Sequence, residues 1–190
     1  MDRRAQKQAD TRRRIVEASM HLHEEIGPRA TTISAIAERA GVQRLTVYNH
    51  FPDETSVFQA CTSHWLSLNP PPEPADWGGI NDPMARFRAA ISALYAYFSG
   101  TRKMWTAAFR DVDDVPALQA PMSDVSSYMA GIASDLVAAF GTASEQPKLA
   151  PTIRHCLHFL TWSDLEEQSL SDTEKLDLVC SWVDGARRVG

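Results

Sequence analysis

TISAIAERAGVQRLTVYNHF, residues 32–51, decides the reading of this chain. Ile33, Ile36, Ala37 and Ala40 recur at spacings of three and four, which puts them on one face of an amphipathic helix. Thr32 is placed to cap the first turn, and Gly41 supplies the positive φ that a tight helix exit requires. Val42 carries an apolar contact into the turn. A second helix follows from about Gln43 to His50, because Pro52 disfavours helical geometry in the residue before it. Two short helices at this spacing form a helix-turn-helix, in which the first crosses a DNA backbone and the second enters the major groove.

The two faces of the second helix differ in chemistry. Val47 and Phe51 point back toward the first helix, where Ala37 and Ala40 are small enough to let the axes cross closely. The opposite face carries Arg44, Thr46, Asn49 and His50, with Gln43 and Leu45 at the tip and Tyr48 at the edge. These groups can donate to phosphates, read base edges or touch a thymine methyl. The ordinary alternative is a helical hairpin with a polar outer face. A helix this short with so little apolar surface is a poor bundle element, which favours the DNA reading.

The surrounding chain fits one small domain and one larger one, residues 1–60 and 61–190 of a 190-residue protein with 44% hydrophobic content. A net charge of −5 argues against a protein that coats nucleic acid indiscriminately. The distribution matters more. Residues 1–14 hold Arg3, Arg4, Lys7, Arg12, Arg13 and Arg14 against Asp2 and Asp10, whereas the chain beyond residue 60 carries 16 acidic and 10 basic residues. A basic terminal arm beside a helix-turn-helix reads as a phosphate clamp or minor-groove arm. Three cysteines, Cys61, Cys156 and Cys180, share no close spacing, so neither a disulfide framework nor a zinc ribbon is indicated. No apolar run approaches the roughly 18 residues of a membrane span, and the basic N-terminus lacks a signal-peptide core. The expectation is a cytoplasmic protein without membrane attachment.

The pattern predicts an all-α chain. A helix from Thr11 to about Ile26, ended by Gly27-Pro28, supports the helix-turn-helix, with His21 and His23 expected at its surface and boundary. Asp53 caps a helix to about Leu68. Residues 69–79, with four prolines and two glycines, predict an irregular loop. Helices are then expected from Pro83 to Gly100, over Thr101 to Val112, and from about Pro116 to Phe140, with a kink or restart near Pro121. Two more close the chain: one from about Pro151 to Gln168, and one after Ser171, whose hydroxyl and Glu174 have capping-box spacing. Two terminal amphipathic helices suit a twofold four-helix interface. A homodimer also answers a weakness of a single short reading helix, since two copies read a palindromic operator.

Taken together, TISAIAERAGVQRLTVYNHFPDETSVF resembles the DNA-binding signature of the TetR family of bacterial transcriptional regulators. The resemblance covers roughly the first 60 residues and rests on Ile36-Ala37, Gly41-Val42, Tyr48-Asn49-His50-Phe51 and Pro52. It implies an N-terminal three-helix DNA-binding domain and a C-terminal helical domain for effector binding and dimerisation. It further implies that Thr32, Tyr48 and His50 contact phosphates and that Gln43, Arg44, Leu45, Thr46 and Asn49 read bases. Three residues depart from the family pattern. Gln43 replaces a small capping residue, Leu45 replaces a small residue and brings a thymine-methyl contact within reach, and Glu54 stands where a lysine is common. A carboxylate at Glu54 repels phosphate and leaves more of the clamp to the N-terminal arginines.

An effector pocket is expected among the middle helices, where Phe87, Tyr95, Phe98, Trp105, Phe109, Met122, Tyr128, Met129, Phe159 and Trp162 cluster. At least half of these are expected to be plain core. The remainder favours an apolar or aromatic small molecule whose binding releases a repressor from its operator. No catalytic motif such as GxSxG, a P-loop, GxGxxG or HExxH occurs, so neither an enzyme nor a cofactor is expected. His155 and His158 share a helical face but lack a third ligand at matching spacing, which indicates no metal site.

Overall fold

The computed structural model describes residues 3–141 and 147–188, and among these every regular element is helical. The helices are α1 (Arg3–Glu25), α2 (Ile33–Ala40), α3 (Arg44–His50), α4 (Glu54–Leu68), α5 (Ala75–Gly78) and α6 (Pro83–Asp111). They continue with α7 (Pro116–Ala139), α8 (Leu149–Cys156), α9 (Phe159–Glu167) and α10 (Asp172–Arg188). A 3-10 turn at Pro28–Ala30 separates α1 from α2. The chain forms two compact units, Met1–Pro70 with Thr101–Ser123, and Pro71–Gly100 with Asp124–Gly190. Both α6 and α7 contribute to both units.

The first unit is built on the apolar stripe of α1. Ile15, Ala18 and Leu22 meet Ile33, Ile36 and Ala37 of α2, Val47 of α3 and Val57 of α4 in one buried cluster. Each aliphatic side chain of that size contributes roughly 1.5–3 kcal/mol on leaving water. A second cluster joins Phe58 of α4 to Ala108 of α6 and Leu118 of α7. Trp65 of α4 meets Trp105 of α6 edge to face, with ring centroids 6.1 Å apart. The second unit buries Phe87, Ile91, Leu94 and Phe98 of α6 together with Ile132 and Leu136 of α7, Ile153 of α8, Trp162 of α9 and Val179 of α10. Ion pairs of 2.7 Å, Arg86 to Asp135 and Arg88 to Asp177, tie α6 to α7 and α10 at the edge of that core.

Five expectations are corrected. The first helix starts at Arg3 instead of Thr11, so the basic segment is a continuation of α1 and not an extended arm. His23 is buried and not at the surface, whereas His21 is exposed. Residues 69–79 contain the single turn α5, in which Trp77 is buried and anchors the proline-rich segment. The helix from Pro83 passes through Gly100 to Asp111, absorbing the segment expected to stand alone. A glycine inside a helix costs only about 1 kcal/mol relative to alanine, less than the packing on either side returns. The helix expected from Pro151 to Gln168 is two, α8 and α9, parted at Leu157-His158. His158 caps α9 there, its Nδ1 accepting from the Leu160 amide at 3.2 Å. Pro121 is accommodated within α7, in its second turn.

Candidate nucleic-acid interface

The helix-turn-helix is held by local bonds that the residue types dictate. The Thr32 hydroxyl accepts from the Ala35 amide at 3.2 Å and closes the start of α2. Gly41 ends it in the left-handed region, φ 65° and ψ 40°, where a β-carbon is strained. Its amide donates to the Glu38 carbonyl at 3.1 Å, and the Val42 amide donates to the Ala37 carbonyl at 2.9 Å. This satisfies carbonyls that the helix end leaves open. Gln43 occupies the N-cap of α3 with no bond from its side chain, so that side chain is left for other contacts.

Inward and outward residues of α3 separate as their spacing requires. Val47 and Phe51 are 0% and 2% exposed and fix the helix to the core. Gln43, Arg44, Tyr48 and Asn49 are exposed, and Leu45 is 68% exposed, a large apolar side chain held in water. Thr46 and His50 are half-buried, and together with residues of the N-terminal turns of α1 they line an open cleft of about 710 Å³. Thr32 is exposed at the start of α2. All eight residues expected to meet DNA therefore lie on two adjoining helices, and the seven from α3 and its cap form two sides of one helix.

Charges around this surface are organised by neighbouring pairs. Arg39 of α2 forms a two-pronged bond with Glu25 of α1 at 2.6 and 2.5 Å, which holds the Glu25 carboxyl below the usual range. The Arg12 guanidinium lies over the Phe51 ring, 4.7 Å from its centroid. Asp53 and Ser56 form a reciprocal capping box at the start of α4. Glu54 lies in the first turn of α4, where a helix N-terminus favours negative charge. That gives the departure at Glu54 a structural reason.

Sequence reasoning named the cations of the first fourteen residues but missed Gln8 and Thr11, which share the cleft with Arg3, Arg4 and Lys7. The signal was present. Positions 3, 7 and 11, with 4 and 8, are a helical stripe, and its polar side chains carry no apolar periodicity to reveal it.

The residues expected to hold an effector divide. Phe87, Tyr95, Phe98, Phe159 and Trp162 are buried in the second unit, and Tyr128 and Met129 are half-buried there. Phe98, Phe159 and Trp162 pack at centroid separations of 5.5–6.0 Å. Tyr95 donates its hydroxyl to the Cys156 carbonyl at 3.1 Å, and Tyr128 donates to the Pro72 carbonyl. Burial pushes the Tyr95 hydroxyl up and keeps it protonated. Trp105, Phe109 and Met122 belong to the first unit. Among the described residues no group of three or more His, Cys, Asp or Glu side chains is placed to hold a metal ion. His155 lies beside the Trp182 ring, with centroids 6.2 Å apart.

A capped helix, a left-handed glycine turn and a second short helix anchored by Val47 and Phe51 with a polar outer face define a helix-turn-helix protein. Residues 15–61 match the family model for bacterial regulatory proteins of the tetR family. Residues 15–61 therefore form a DNA-binding domain of the tetR-family type. A comparison with curated protein sequences gives no match. Solved structures extend the likeness of fold to nearly the whole chain. A TetR-like transcriptional regulator from Rhodococcus sp. RHA1 is 16% identical, with 95% of this chain and 97% of that chain covered and a TM-score of 0.67. The TetR family transcriptional regulator PfmR from Thermus thermophilus is 18% identical, with 92% and 94% covered and a TM-score of 0.58. At these identities the likeness is one of architecture.

Proposed function

We propose that this protein is a dimeric repressor that binds a palindromic operator and is released from it by a small apolar or aromatic ligand. The observation that carries the reading is the division of α3. Val47 and Phe51 anchor it, while Gln43, Arg44, Leu45, Tyr48 and Asn49 stand in solvent with chemistry suited to bases and phosphates. Tyr48, His50 and Thr32 grip the backbone, and Gln43 to Thr46 with Asn49 read sequence. On this reading residues 1–60 bind DNA in the cytoplasm, and residues 61–190 bind the effector and form the dimer.

Dimerisation is assigned to the C-terminal helices α8, α9 and α10. Leu160 of α9 is 47% exposed, and Leu176 and Trp182 of α10 are half-buried, so apolar surface remains there for a second copy. The effector is assigned to the aromatic region around Phe98, Phe159 and Trp162. Its binding shifts the equilibrium between two arrangements by its difference in affinity for them. Two features support such coupling: α6 is one continuous helix that contributes to both units, and α4 runs from the capping box at Asp53 to Leu68.

Selection of genomic fragments bound by the purified protein tests the reading. The expected result is enrichment of a palindrome, with binding that weakens steeply as salt rises. Replacing Tyr48 and His50 should weaken binding to every sequence alike. Undiminished affinity for the palindrome in that variant would show that the backbone contacts are assigned wrongly.

A further inference from the structure

Among the six cations of the first fourteen residues, Arg12 lies on Phe51, and Arg13 donates to Glu17 at 2.9 Å and pairs with Asp10 at 3.7 Å. Arg3 and Lys7, with Arg4, Gln8 and Thr11 of α1 and Thr46 and His50 of α3, line an open cleft of about 710 Å³. Among the described residues no acidic residue lines it, and no carboxylate lies within ion-pair distance of Arg3 or Lys7. The cleft is continuous with the face of α3 that meets DNA, since Thr46 and His50 belong to both.

Cations from α1 beside a hydroxyl and an imidazole from α3 fit an anion with several acceptor oxygens. We propose that this cleft holds the sugar-phosphate backbone beside the bases that α3 faces, an inference that rests on the DNA-binding reading above. Arg3 and Lys7 neutralise phosphates there, and His50 donates to the same backbone. Because α1 is helical from Arg3, the cations are held at fixed separation, and little further ordering is needed when DNA enters.

The test is the salt dependence of binding by the Arg3→Ala/Lys7→Ala double variant. Two labelled duplexes serve as probes: the palindrome obtained by selection, and one of mixed sequence. The expected result is a shallower slope of log affinity against log salt, by about 0.9 for each phosphate that is no longer neutralised in a protomer. Affinity should fall about tenfold per such phosphate near 0.1 M salt, equally for both duplexes. Arg154→Ala, exposed on α8 in the other unit, should change neither quantity. Unchanged slopes in the double variant, with its helix content preserved and a steep slope in the native protein, overturn the cleft assignment. So does a variant that loses affinity for inorganic phosphate while keeping the duplex slope. A native protein that binds neither duplex overturns the DNA-binding reading itself, a distinguishable failure.

Discussion

Asp111, the last residue of α6, accepts a hydrogen bond from the backbone amide of Arg29 at 3.0 Å across 82 positions of sequence. The same carboxylate accepts from Arg110 Nε at 2.7 Å and Nη2 at 3.0 Å, and Arg110 Nη2 also donates to the Ile26 carbonyl at 3.2 Å. Arg29 in turn donates to Asp114 at 2.7 Å. The end of α6 is thereby fastened to the turn between α1 and α2. The Arg110 hydrogen bond, followed by the Arg29 amide, outweighs burial and holds the Asp111 carboxyl below its ordinary range.

Asp111→Asn should destabilise the first unit by about 1.5–3 kcal/mol, the range for hydrogen bonds to a charged group. A larger loss is not expected, because Arg110 is 57% exposed and its charge stays hydrated when the partner goes. Guanidinium unfolding measures the change. Its pH dependence has a fixed sign: the folded carboxyl titrates below its unfolded value, so the contribution is present above about pH 4 and lost as pH falls further. A variant as stable as the native chain at pH 7 would remove the latch from the account.

Gly27 and Gly100 should respond oppositely to alanine. Gly27 has φ 89° and ψ 160°, a region nearly confined to glycine, and an added Cβ would overlap Arg110 Nη2 and lie 2.5 Å from Asp111 Oδ2. Gly27→Ala should cost at least about 1–3 kcal/mol. Gly100 lies inside α6 with nothing within 4 Å of the added atom, so Gly100→Ala should stabilise by about 0.4–1 kcal/mol. Thermal unfolding of the two variants compares them directly.

Acid should weaken the fold above the range of the carboxylates because His23 is buried. Burial, partly offset by the Asp111 charge, lowers its imidazole to about 4 from an ordinary 6.5. It lies 3.5 Å from Cys61 Sγ and 5.0 Å from the Phe58 ring centroid. Between those two pH values the unfolded chain binds the proton and the folded chain does not, so stability falls as pH drops. The full loss is about 3 kcal/mol. Denaturation midpoints measured from pH 7 to pH 4 should show this slope, and His23→Leu should flatten it. An equal slope in the variant would assign it to other groups.

Leu45 should contribute to operator discrimination and not to folding. Its 68% exposure leaves little burial to lose, so Leu45→Ala should leave the unfolding midpoint within about 0.5 kcal/mol. Replacing a contacted thymine by deoxyuridine, which lacks the methyl, should weaken the native protein by about 1 kcal/mol or more and the variant not at all. Equal sensitivity of both proteins would place the methyl contact elsewhere.

Much of the reading unit is written locally. The three-and-four spacing of Ile33 to Ala40, the cap at Thr32, the left-handed turn at Gly41 and the capping box at Asp53 all join residues close in sequence. A short window of sequence therefore contains both partners of each bond. The same locality explains the errors. Gly100 looks like a terminus in any window, yet α6 continues because apolar residues on both sides of it are buried. Residues 3–10 look like an arm because their stripe is polar, and a polar stripe lacks the apolar spacing that marks an amphipathic helix.

The sequence by itself determined that this chain is all-helical and carries a helix-turn-helix between Thr32 and Phe51, since periodicity and capping are properties of neighbours along the chain. Tertiary structure alone decided that Asp111 closes on Arg29, that His23 is buried beside Cys61, and that Arg3 and Lys7 line one open cleft with His50. His23 and Cys61 are 38 positions apart, and Arg29 and Asp111 are 82 apart. Only the packing of helices on the α1 stripe brings such distant groups within hydrogen-bonding range.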